Sequence, residues 1–451
     1  MSDYNFLMES RLTPEQFQVL MHLARIAHTQ GVNLYLIGGA VRDLTYGQQV
    51  IRDLDFAVEG NPQKVLRHLD GKAPSGEPTP VSLGSLRFDA KLGSAEVSFT
   101  NGVRAEIAMT RNEIYRRPGR RPEILLAAIF EDLKRRDFSV NAMAVSLHPN
   151  SRGLLLDPTN GAADIEKHEL RALHSRSFLE DPSRLYRLLR LGLRLDFKPE
   201  ERTRTWMETA LANRATERLD PEQQGRELRA ILQEENPGRV LRLLAGRGLL
   251  VGLDRKLASA KLPYEQFGKI RSVVHTVPGA DPFFLNFHCL VAKLGSGQKS
   301  RLAKKIIADR RVVKLALGLE SAARKLARVL GSSKAALASH VYALLSGQPQ
   351  PLLLFLLVNY RQAKIQARVK NFLFKHPLVR AKLPRAELLT LGLEAGPKFE
   401  KIVHQLFLDQ LDGKIKTHQQ LLKEFRALAG LKEPPARPPH PAKPPHAGKK
   451  R

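Results

Sequence analysis

The sequence predicts an α+β fold, in which a small mixed α/β unit is followed by a long, nearly all-helical remainder. Two observations lead to this prediction. Over the first 150 residues, helical periodicity alternates with short apolar runs typical of strands. From about residue 178 onward, Leu, Ala and Arg recur at helical spacing and strand-like alternation almost disappears. We therefore expect domains at 1–150, 151–255 and 256–432, with a basic tail at 433–451.

The first elements of the chain have clear sequence signals. Residues 13–29 place apolar side chains on one helical face, and Thr13 followed by Pro14 is a typical helix start. The runs 33–37 and 54–58 are short and apolar, as in strands. We therefore expect a helix at 13–29, strands at 33–37 and 54–58, and a further helix after residues 38–43.

A β-hairpin is predicted over residues 95–109. Two strand-like runs flank Asn101-Gly102, a dipeptide that suits a tight type I′ turn. In the helical part, Pro and Gly breaks at 236–238, 277–279 and 347–351 predict boundaries between sub-bundles. The tail is rich in Pro, Lys, Arg and His without apolar periodicity, which predicts disorder.

The charge of the chain favours a polyanion as its partner. Lys and Arg number 73 against 45 Asp and Glu, a net charge of +28. Such an excess is typical of nucleic-acid binding, although it also serves solubility. Cys289 is the single cysteine, which excludes a disulfide framework and a cysteine-based zinc site. Lacking a long apolar run and a signal-peptide pattern at its start, the chain is expected to be cytoplasmic and without membrane contact.

A glycine pair is the first candidate for chemistry. Gly38 and Gly39 follow the first predicted strand, and Arg42 comes shortly after them. Glycines let backbone N–H groups approach an anion closely, and an arginine can hold a phosphate oxygen. Alone, such a pair is more often a simple turn.

Carboxylates on the second strand and the hairpin predict a metal site. Asp53 and Asp55 are two residues apart on a strand, so their side chains would project from the same face. Neighbouring carboxylates repel unless a cation lies between them, and oxygen ligands suit Mg²⁺. Metal ions held in this way can activate a hydroxyl and neutralise pyrophosphate. Glu106 is the candidate third carboxylate, with Asp89 and Glu96 as rivals by spacing.

These residues carry a resemblance to a known family. Residues 38–43, followed by 53–56, resemble the opening motif of class II nucleotidyltransferases, which comprise tRNA CCA-adding enzymes and bacterial poly(A) polymerases. Three further motifs of the family have similar segments here, in the same order, at residues 135–142, 157–164 and 180–190. The resemblance implies a head with a polymerase-β-like sheet, then an elongated helical neck, body and tail that bind tRNA.

The resemblance also implies roles for individual residues. The carboxylates Asp53 and Asp55 would bind Mg²⁺, and Glu106, where many relatives have Asp, would help to activate the terminal hydroxyl. Residues that would hold the triphosphate or shape the nucleotide pocket are Gly38, Gly39, Arg42, Arg135, Arg136, Asp137 and Asn141.

Nucleotide selection is predicted for the fourth motif. On a helix, Asp181 and Arg184 would face the same way, being three residues apart. A carboxylate accepts from an exocyclic amine and a guanidinium donates to ring acceptors, so this pair could match cytosine or adenine. In the family such a pair replaces a nucleic-acid template. Arg187 and Arg190 continue the face and by resemblance support the nucleotide or the template pair.

The expected activity is addition of the 3′-terminal CCA to tRNA from CTP and ATP, with release of pyrophosphate. The helical body would bind the acceptor and upper arm of tRNA by charge and shape, and no obligatory protein partner is evident. Segment 111–119 fills the place of a loop that CC-adding members lack, which argues against CC-only addition. A-only addition, poly(A) synthesis and a non-catalytic RNA-binding role stay open as alternatives. Tyr186 stands where relatives usually have an aliphatic residue, and the sequence does not indicate what this difference does.

Overall fold

The computed structural model describes residues 3–69, 81–120 and 122–431, so the predicted tail lies outside the described residues. The chain divides into two compact units. The first comprises Met1–Gly268 and Cys289–Val313, and the second comprises Lys269–His288 and Lys314–Arg451. The sequence-predicted head and neck therefore share one unit.

The first unit contains a mixed sheet. The strands of this unit are β1 Asn33–Ile37, β2 Leu54–Glu59, β3 Leu83–Asp89, β4 Ser94–Phe99, β5 Arg104–Met109, β6 Arg111–Ile114, β7 Glu123–Leu126, β8 Ala144–Ser146, β9 Leu155–Leu156, β10 Glu169–Leu170 and β11 Lys198–Pro199. Two separate pairs are formed by β6 with β7 and by β10 with β11. Seven strands form the main sheet in the order β3-β4-β5-β2-β1-β8-β9. Within it, β2 and β5 run parallel while every other neighbouring pair is antiparallel.

Helices make up most of the remaining first unit. They are α1 Tyr4–Arg11, α2 Pro14–Thr29, α3 Gly38–Tyr46, α4 Gln63–Leu66, α5 Ile129–Lys134, α6 Gly161–Glu166, α7 Ser177–Glu180, α8 Ser183–Leu195, α9 Glu201–Ala212, α10 Pro221–Leu232, α11 Pro237–Gly246, α12 Leu250–Leu253, α13 Arg255–Ala258 and, after α14 and α15 (below), α16 Ser296–Ile306. Tyr35, Ile37 and Ala57 form one buried face of the sheet, against which Ile129 and Leu133 of α5 pack.

The described residues of the second unit form helices and their connecting segments, without a strand. The unit boundaries fall within α14 Tyr264–Val274, α15 Phe283–Val291 and α17 Arg310–Gly331. The helices that follow are α18 Ala338–Leu345, α19 Gln350–Asn359, α20 Ala363–Lys370, α21 His376–Ala381, α22 Arg385–Thr390, α23 Pro397–Leu411 and α24 His418–Ala429. No single helix of the described chain is long and apolar enough to cross a membrane, although α18 and α19, bent by 119°, together meet the same test.

The predicted helix at 13–29, the two strands and the hairpin are confirmed, with one correction to the hairpin turn; α1 precedes the predicted helix, and α3 already begins at Gly38. Thr13 caps α2 in a full capping box, and β1 and β2 coincide with the two predicted strands. The hairpin is formed by β4 and β5, but its turn is not type I′. Of the Asn-Gly pair only Gly102 has a positive φ, 88°, whereas a type I′ turn needs the left-handed region at both positions. Instead the Gly102 N–H donates to the Phe99 carbonyl at 3.0 Å, and the connection is four residues long.

Candidate active site

Strand pairing brings two of the predicted carboxylates together. In the parallel register of β2 and β5, Asp55 lies directly opposite Glu106. Asp53 immediately precedes β2, is well exposed, and forms an ion pair with Arg104 at 3.3 Å. Because both partners are exposed, that ion pair holds Asp53 only weakly. The three carboxylates therefore lie near the N-terminal ends of the adjacent central strands β2 and β5, with Asp55 innermost.

The surroundings of Asp55 disfavour its ionised form. Burial raises its pKa to about 7, and the Glu106 and Asp53 carboxylates add to the rise while the Arg136 and Arg42 guanidiniums oppose it. The pKa of Glu106 is also raised, first by desolvation among the cleft walls and then by Glu96. A cation placed beside such carboxylates would stabilise their ionised form.

The acidic residues of this site bear on whether it could hold a metal ion. Among the described residues, no group of three or more His, Cys, Asp or Glu side chains is placed to hold a metal ion. Mg²⁺, however, is commonly held by one or two carboxylates together with substrate phosphates. Asp53 and Asp55 suit that arrangement, because Asp55 lacks a full counter-charge.

The glycine turn opens the space above the carboxylates. Gly38 begins α3 with φ 65°, a conformation that favours glycine. A Cβ added there would lie 3.3 Å from the Arg136 Nη1 and 3.6 Å from the Asp55 Oδ2. At Gly39 the same atom would lie 3.6 Å from Arg42 Nη2. Any side chain in this turn would therefore fill the gap between two guanidiniums and a carboxylate.

Arg42 is held in place at the edge of this gap. Its side chain is only 3% exposed, and it contacts Asp43 at 2.6 Å and the Asn141 Oδ1 at 2.6 Å. Asn141 in turn donates to the Asp137 Oδ1 at 3.1 Å. Arg187 lies 3.6 Å from the Asp137 Oδ2 and donates to Glu227 at 3.1 Å. Residues from three sequence motifs are thus joined in one polar network.

A single buried carboxylate, Asp132 on α5, fixes the next two arginines. Its Oδ1 accepts from Arg135 at 2.6 Å, and its Oδ2 accepts from Arg136 at 2.7 Å. Burial would raise the pKa of Asp132, but the two guanidiniums outweigh it and lower the pKa. The Arg135 guanidinium also contacts Glu113 of β6 at 2.8 Å, whereas Arg136 lies beside the glycine turn.

The predicted template pair lies in the cleft, but not on one helix. Asp181 ends α7 with φ −124° and ψ 87°, because a residue before proline avoids the helical region and Pro182 follows. Arg184 is on α8, and its Nε lies 3.7 Å from the Asp181 Oδ2. Both side chains are less than a tenth exposed. The Asp181 Oδ1 accepts from Ser183, so its Oδ2 is the oxygen left for a ligand.

The guanidinium of Arg184 is positioned by protein groups. Its Nη1 donates to the Ser177 Oγ at 2.7 Å and its Nη2 to the Arg135 carbonyl at 2.8 Å. Its Nε is buried and has no hydrogen-bond partner among the described residues. The pair is thus rigidly placed and retains polar atoms for recognition.

All predicted site residues line one cleft of about 810 Å³. They are Gly38, Gly39, Arg42, Asp53, Asp55, Glu106, Arg135, Arg136, Asp137, Asn141, Asp181, Arg184, Arg187 and Arg190. The rivals Asp89 and Glu96 are not part of its lining. Residues that sequence reasoning missed are Glu113, Tyr115, Asp132, Arg194, Arg226 and Glu227.

The third motif has a supporting role. Asp157 accepts from the backbone N–H groups of Gly161 and Ala162 at 2.7 and 2.9 Å, which caps α6. A Cβ at Gly161 would overlap the Ser139 carbonyl, so α6 packs closely under the turn that carries Asn141. Asp164 of α6 accepts from the Ser139 Oγ. The motif therefore fixes the base of the cleft without lining it.

Tyr186, for which the sequence predicted nothing, is explained by packing. The side chain is fully buried in α8, and its hydroxyl donates to the Leu249 carbonyl at 2.9 Å. Burial raises its pKa. Tyr186 therefore links the helix of the template pair to the segment before α12.

Comparison with known proteins agrees with this architecture. The sheet that sets Asp55 against Glu106 beside a glycine turn lies within the part of the chain that matches a known family. Residues 34–171 match the family described as the poly(A) polymerase head domain. The match covers the part of the chain that carries the main sheet and the glycine turn, so the chain is similar to this family over its head.

Individual relatives differ in the nucleotides they are named for. An A-adding tRNA nucleotidyltransferase of Geobacter sulfurreducens is 25% identical over 428 residues, 92% of this chain and 47% of that protein. A CC-adding tRNA nucleotidyltransferase of Deinococcus radiodurans is 36% identical over 247 residues, 54% of this chain and 62% of that protein. The apo form II structure of a CCA-adding enzyme is 26% identical, with a TM-score of 0.53 over 95% of this chain and 99% of that one. The chain spans about half the length of the curated relatives it matches.

Proposed function

We propose that this protein is a tRNA nucleotidyltransferase that adds the 3′-terminal CCA from CTP and ATP and releases pyrophosphate. One observation carries the proposal: an anion-binding turn, adjacent carboxylates and the Asp181–Arg184 pair line the same cleft. A pocket with these three parts can hold a triphosphate, a reacting hydroxyl and a base edge together. The net charge of +28 and the tRNA nucleotidyltransferase relatives support tRNA as the acceptor.

The triphosphate would bind at the glycine turn. Gly38 and Gly39 leave room for its oxygens, while Arg42 and Arg136 flank that room with positive charge. Because Asn141 and Asp132 already hold these guanidiniums, little side-chain freedom is lost when the nucleotide binds. The turn therefore orients the α-phosphorus toward the carboxylates.

The carboxylates would hold the metal ion and activate the 3′-hydroxyl of the RNA. Mg²⁺, held by Asp53 and Asp55, would supply charge neutralisation for the phosphates and the leaving pyrophosphate. Glu106, with its raised pKa, is suited to accept the proton of the RNA 3′-hydroxyl. Its position directly opposite Asp55 sets that hydroxyl next to the bound nucleotide.

Base selection would fall to the template pair. The Asp181 Oδ2, which lies 3.7 Å from the Arg184 Nε, can accept from the exocyclic amine of cytosine or adenine, and Arg184 can donate to the adjacent ring nitrogen. Uracil and guanine present a carbonyl at the position of that amine, so they would leave the buried Asp181 carboxylate unpaired.

A-only addition is the second candidate function. It is favoured by the Geobacter relative, which matches 92% of this chain and is named A-adding. CC-only addition is disfavoured because the loop segment 111–119 is present and β6 and β7 form a hairpin there. Poly(A) synthesis uses the same head and differs in the number of nucleotides added.

Two transcripts distinguish these functions. Purified protein with Mg²⁺ is incubated with one tRNA transcript that ends at the discriminator base and one that ends in CC, with labelled CTP and ATP separately and together. Addition of three nucleotides and no more to the first transcript supports CCA addition. A single A on the second, with no C on the first, supports A addition, and long A tails support poly(A) synthesis.

Variants test the roles of the residues. Asp53→Ala combined with Asp55→Ala should abolish incorporation, and Glu106→Gln should lower kcat by about 100-fold or more. Glu208→Gln, an exposed change on α9 outside the cleft, is the matched control and should leave turnover unchanged. Asp181→Ala should allow UTP and GTP to be incorporated. Full activity of the double Asp variant would contradict the proposed mechanism.

A further inference from the structure

The two helices that carry opposite ends of the candidate site meet again away from the cleft. Helix α3 begins at the glycine turn and ends at Tyr46, while α8 begins at the template pair and ends at Leu195. The Tyr46 ring lies edge-on to the Phe197 ring, with centroids 5.1 Å apart, and its hydroxyl donates to the Leu195 carbonyl at 3.5 Å. The His168 ring lies 5.7 Å from Tyr46 and 5.1 Å from Phe197. These three rings form an aromatic cluster that joins the ends of the two helices.

The backbone around this aromatic cluster is strained in a way that places its rings. Asp196 ends α8 with φ 58°, and His168 has φ 56°, a left-handed conformation that is costly for residues with a Cβ. The turn at Asp196 reverses the chain, so that the Phe197 N–H donates to the Gly192 carbonyl at 3.1 Å. A Cβ at Gly192 would lie 3.0 Å from the Phe197 carbonyl oxygen, and glycine therefore suits this close approach. Strain of this kind persists only where the surrounding structure holds it, and it is common at functional positions.

The aromatic cluster adds to a link between α3 and α8 at the cleft itself. There, Arg42 of α3 is joined through Asn141 and Asp137 to Arg187 of α8. The last contact of this chain, from Arg187 to Asp137, spans 3.6 Å and involves an arginine that is 40% exposed, so it is weak. One weak link would let α8 turn relative to α3, whereas links at two points along the helices fix the angle between them.

The length of α8 makes this angle important for the template pair. Arg184 lies in the first turn of α8 and Leu195 is its last residue. At 1.5 Å per residue, they are about 16 Å apart along the helix axis, so a tilt of about 4° at the aromatic cluster would move Arg184 by about 1 Å. Displacements of this size disturb the binding geometry of a ligand.

We infer that Tyr46 is a positioning residue, which through the aromatic cluster fixes the distance between the glycine turn and the template pair. This inference rests on the proposed function. Tyr46 does not line the cleft, so it acts through α3 and α8 and not by contact with the nucleotide. A nucleoside triphosphate binds through its phosphates at one end and through its base at the other. Binding of one end strengthens binding of the other only when the two sites are correctly spaced.

Binding of a whole nucleotide and of its parts tests this role. The ligands are α,β-methylene-ATP as the whole, pyrophosphate for the glycine turn and adenosine for the template pair, each titrated calorimetrically with Mg²⁺. We expect Tyr46→Leu to weaken binding of α,β-methylene-ATP about tenfold, while the Kd values for pyrophosphate and adenosine stay within about twofold of the wild type. Tyr46→Phe keeps the ring and should recover most of the lost affinity.

Two further variants control for effects on folding. His168→Asn removes an exposed ring of the aromatic cluster but introduces a residue that tolerates the left-handed backbone. It should show the same pattern at a smaller size, and it carries the test if Tyr46→Leu does not fold. His28→Leu removes an edge-on ring contact with His148 elsewhere in the first unit, and it should leave the binding of all three ligands unchanged.

These titrations need no turnover, so they separate the inference from the proposed function. If the wild type incorporates no nucleotide but the variants show this pattern, the proposed function fails and the positioning role stands. Equal weakening of all three ligands in Tyr46→Leu and His168→Asn would mean that the aromatic cluster only supports the fold, which would overturn the inference. Unchanged binding of α,β-methylene-ATP in both variants would overturn it as well.

Discussion

Replacing Asp55 with Asn should stabilise the folded protein at pH 8 even though it removes a proposed metal ligand. The pKa of this carboxyl is raised from 3.8 to about 7 in the folded chain. At 1.36 kcal/mol per unit, that rise corresponds to about 4 kcal/mol in the free energy of unfolding. Solvent and salt reach the partly exposed carboxylate and reduce the figure to roughly 2 kcal/mol.

The sign and the pH window follow from the direction of the shift. A raised carboxyl pKa gives stability that is complete below the unfolded value of 3.8 and lost as the pH rises through about 7. The Asn variant has no such loss. Its advantage over the wild type should be full at pH 8 and fall to about a third at pH 5.

Thermal unfolding in EDTA at the two pH values measures the difference. An advantage of about 2 kcal/mol corresponds to a midpoint roughly 4 °C higher at pH 8. Mg²⁺ should raise the midpoint of the wild type and leave that of the variant nearly unchanged. Glu208→Gln removes one exposed negative charge and serves as control. A variant less stable than the wild type at pH 8 in EDTA would refute the reasoning.

Three further changes test other parts of the first unit. Gly161→Ala should lower stability by about 3 kcal/mol, seen in denaturant unfolding, because the added methyl overlaps the Ser139 carbonyl. Tyr186→Phe should cost about 1 kcal/mol by removing one of the two hydrogen bonds that the Leu249 carbonyl accepts, and a lowered kcat would contradict a purely structural role. Glu227→Gln should raise the KM for nucleotide several-fold with little change in kcat, measured at constant RNA, since Arg187 loses one of its two ion-pair partners and keeps only Asp137.

Local signals predicted the early fold well. Thr13 and Pro14 mark the start of α2, and apolar runs mark β1 and β2, because these elements depend on neighbouring residues. The contact of Asp55 with Glu106 depends instead on parallel pairing of strands some 50 residues apart, which local pattern does not encode. Spacing alone therefore left Asp89 and Glu96 as rivals.

In the candidate site, too, some residues could be predicted from the sequence and others could not. Motif resemblance found the residues that line the cleft, but not the ones that hold them. Asp132, Glu113 and Glu227 are single acidic residues on a helix or strand, and nothing in their local sequence distinguishes them from solvated charges. The placement of Asp181 on a helix was wrong for a local reason that the sequence contained, namely Pro182.

Asp132, whose two carboxylate oxygens bind two different arginines, limits how this protein could change its substrate preference. One oxygen holds the arginine whose carbonyl supports the template residue Arg184, and the other holds the arginine beside the triphosphate turn. A mutation at Asp132 would therefore disturb base recognition and phosphate binding in a single step. Evolution or engineering toward a new base would be confined to positions such as Ser177 and Ser183, which contact the template pair on one side only.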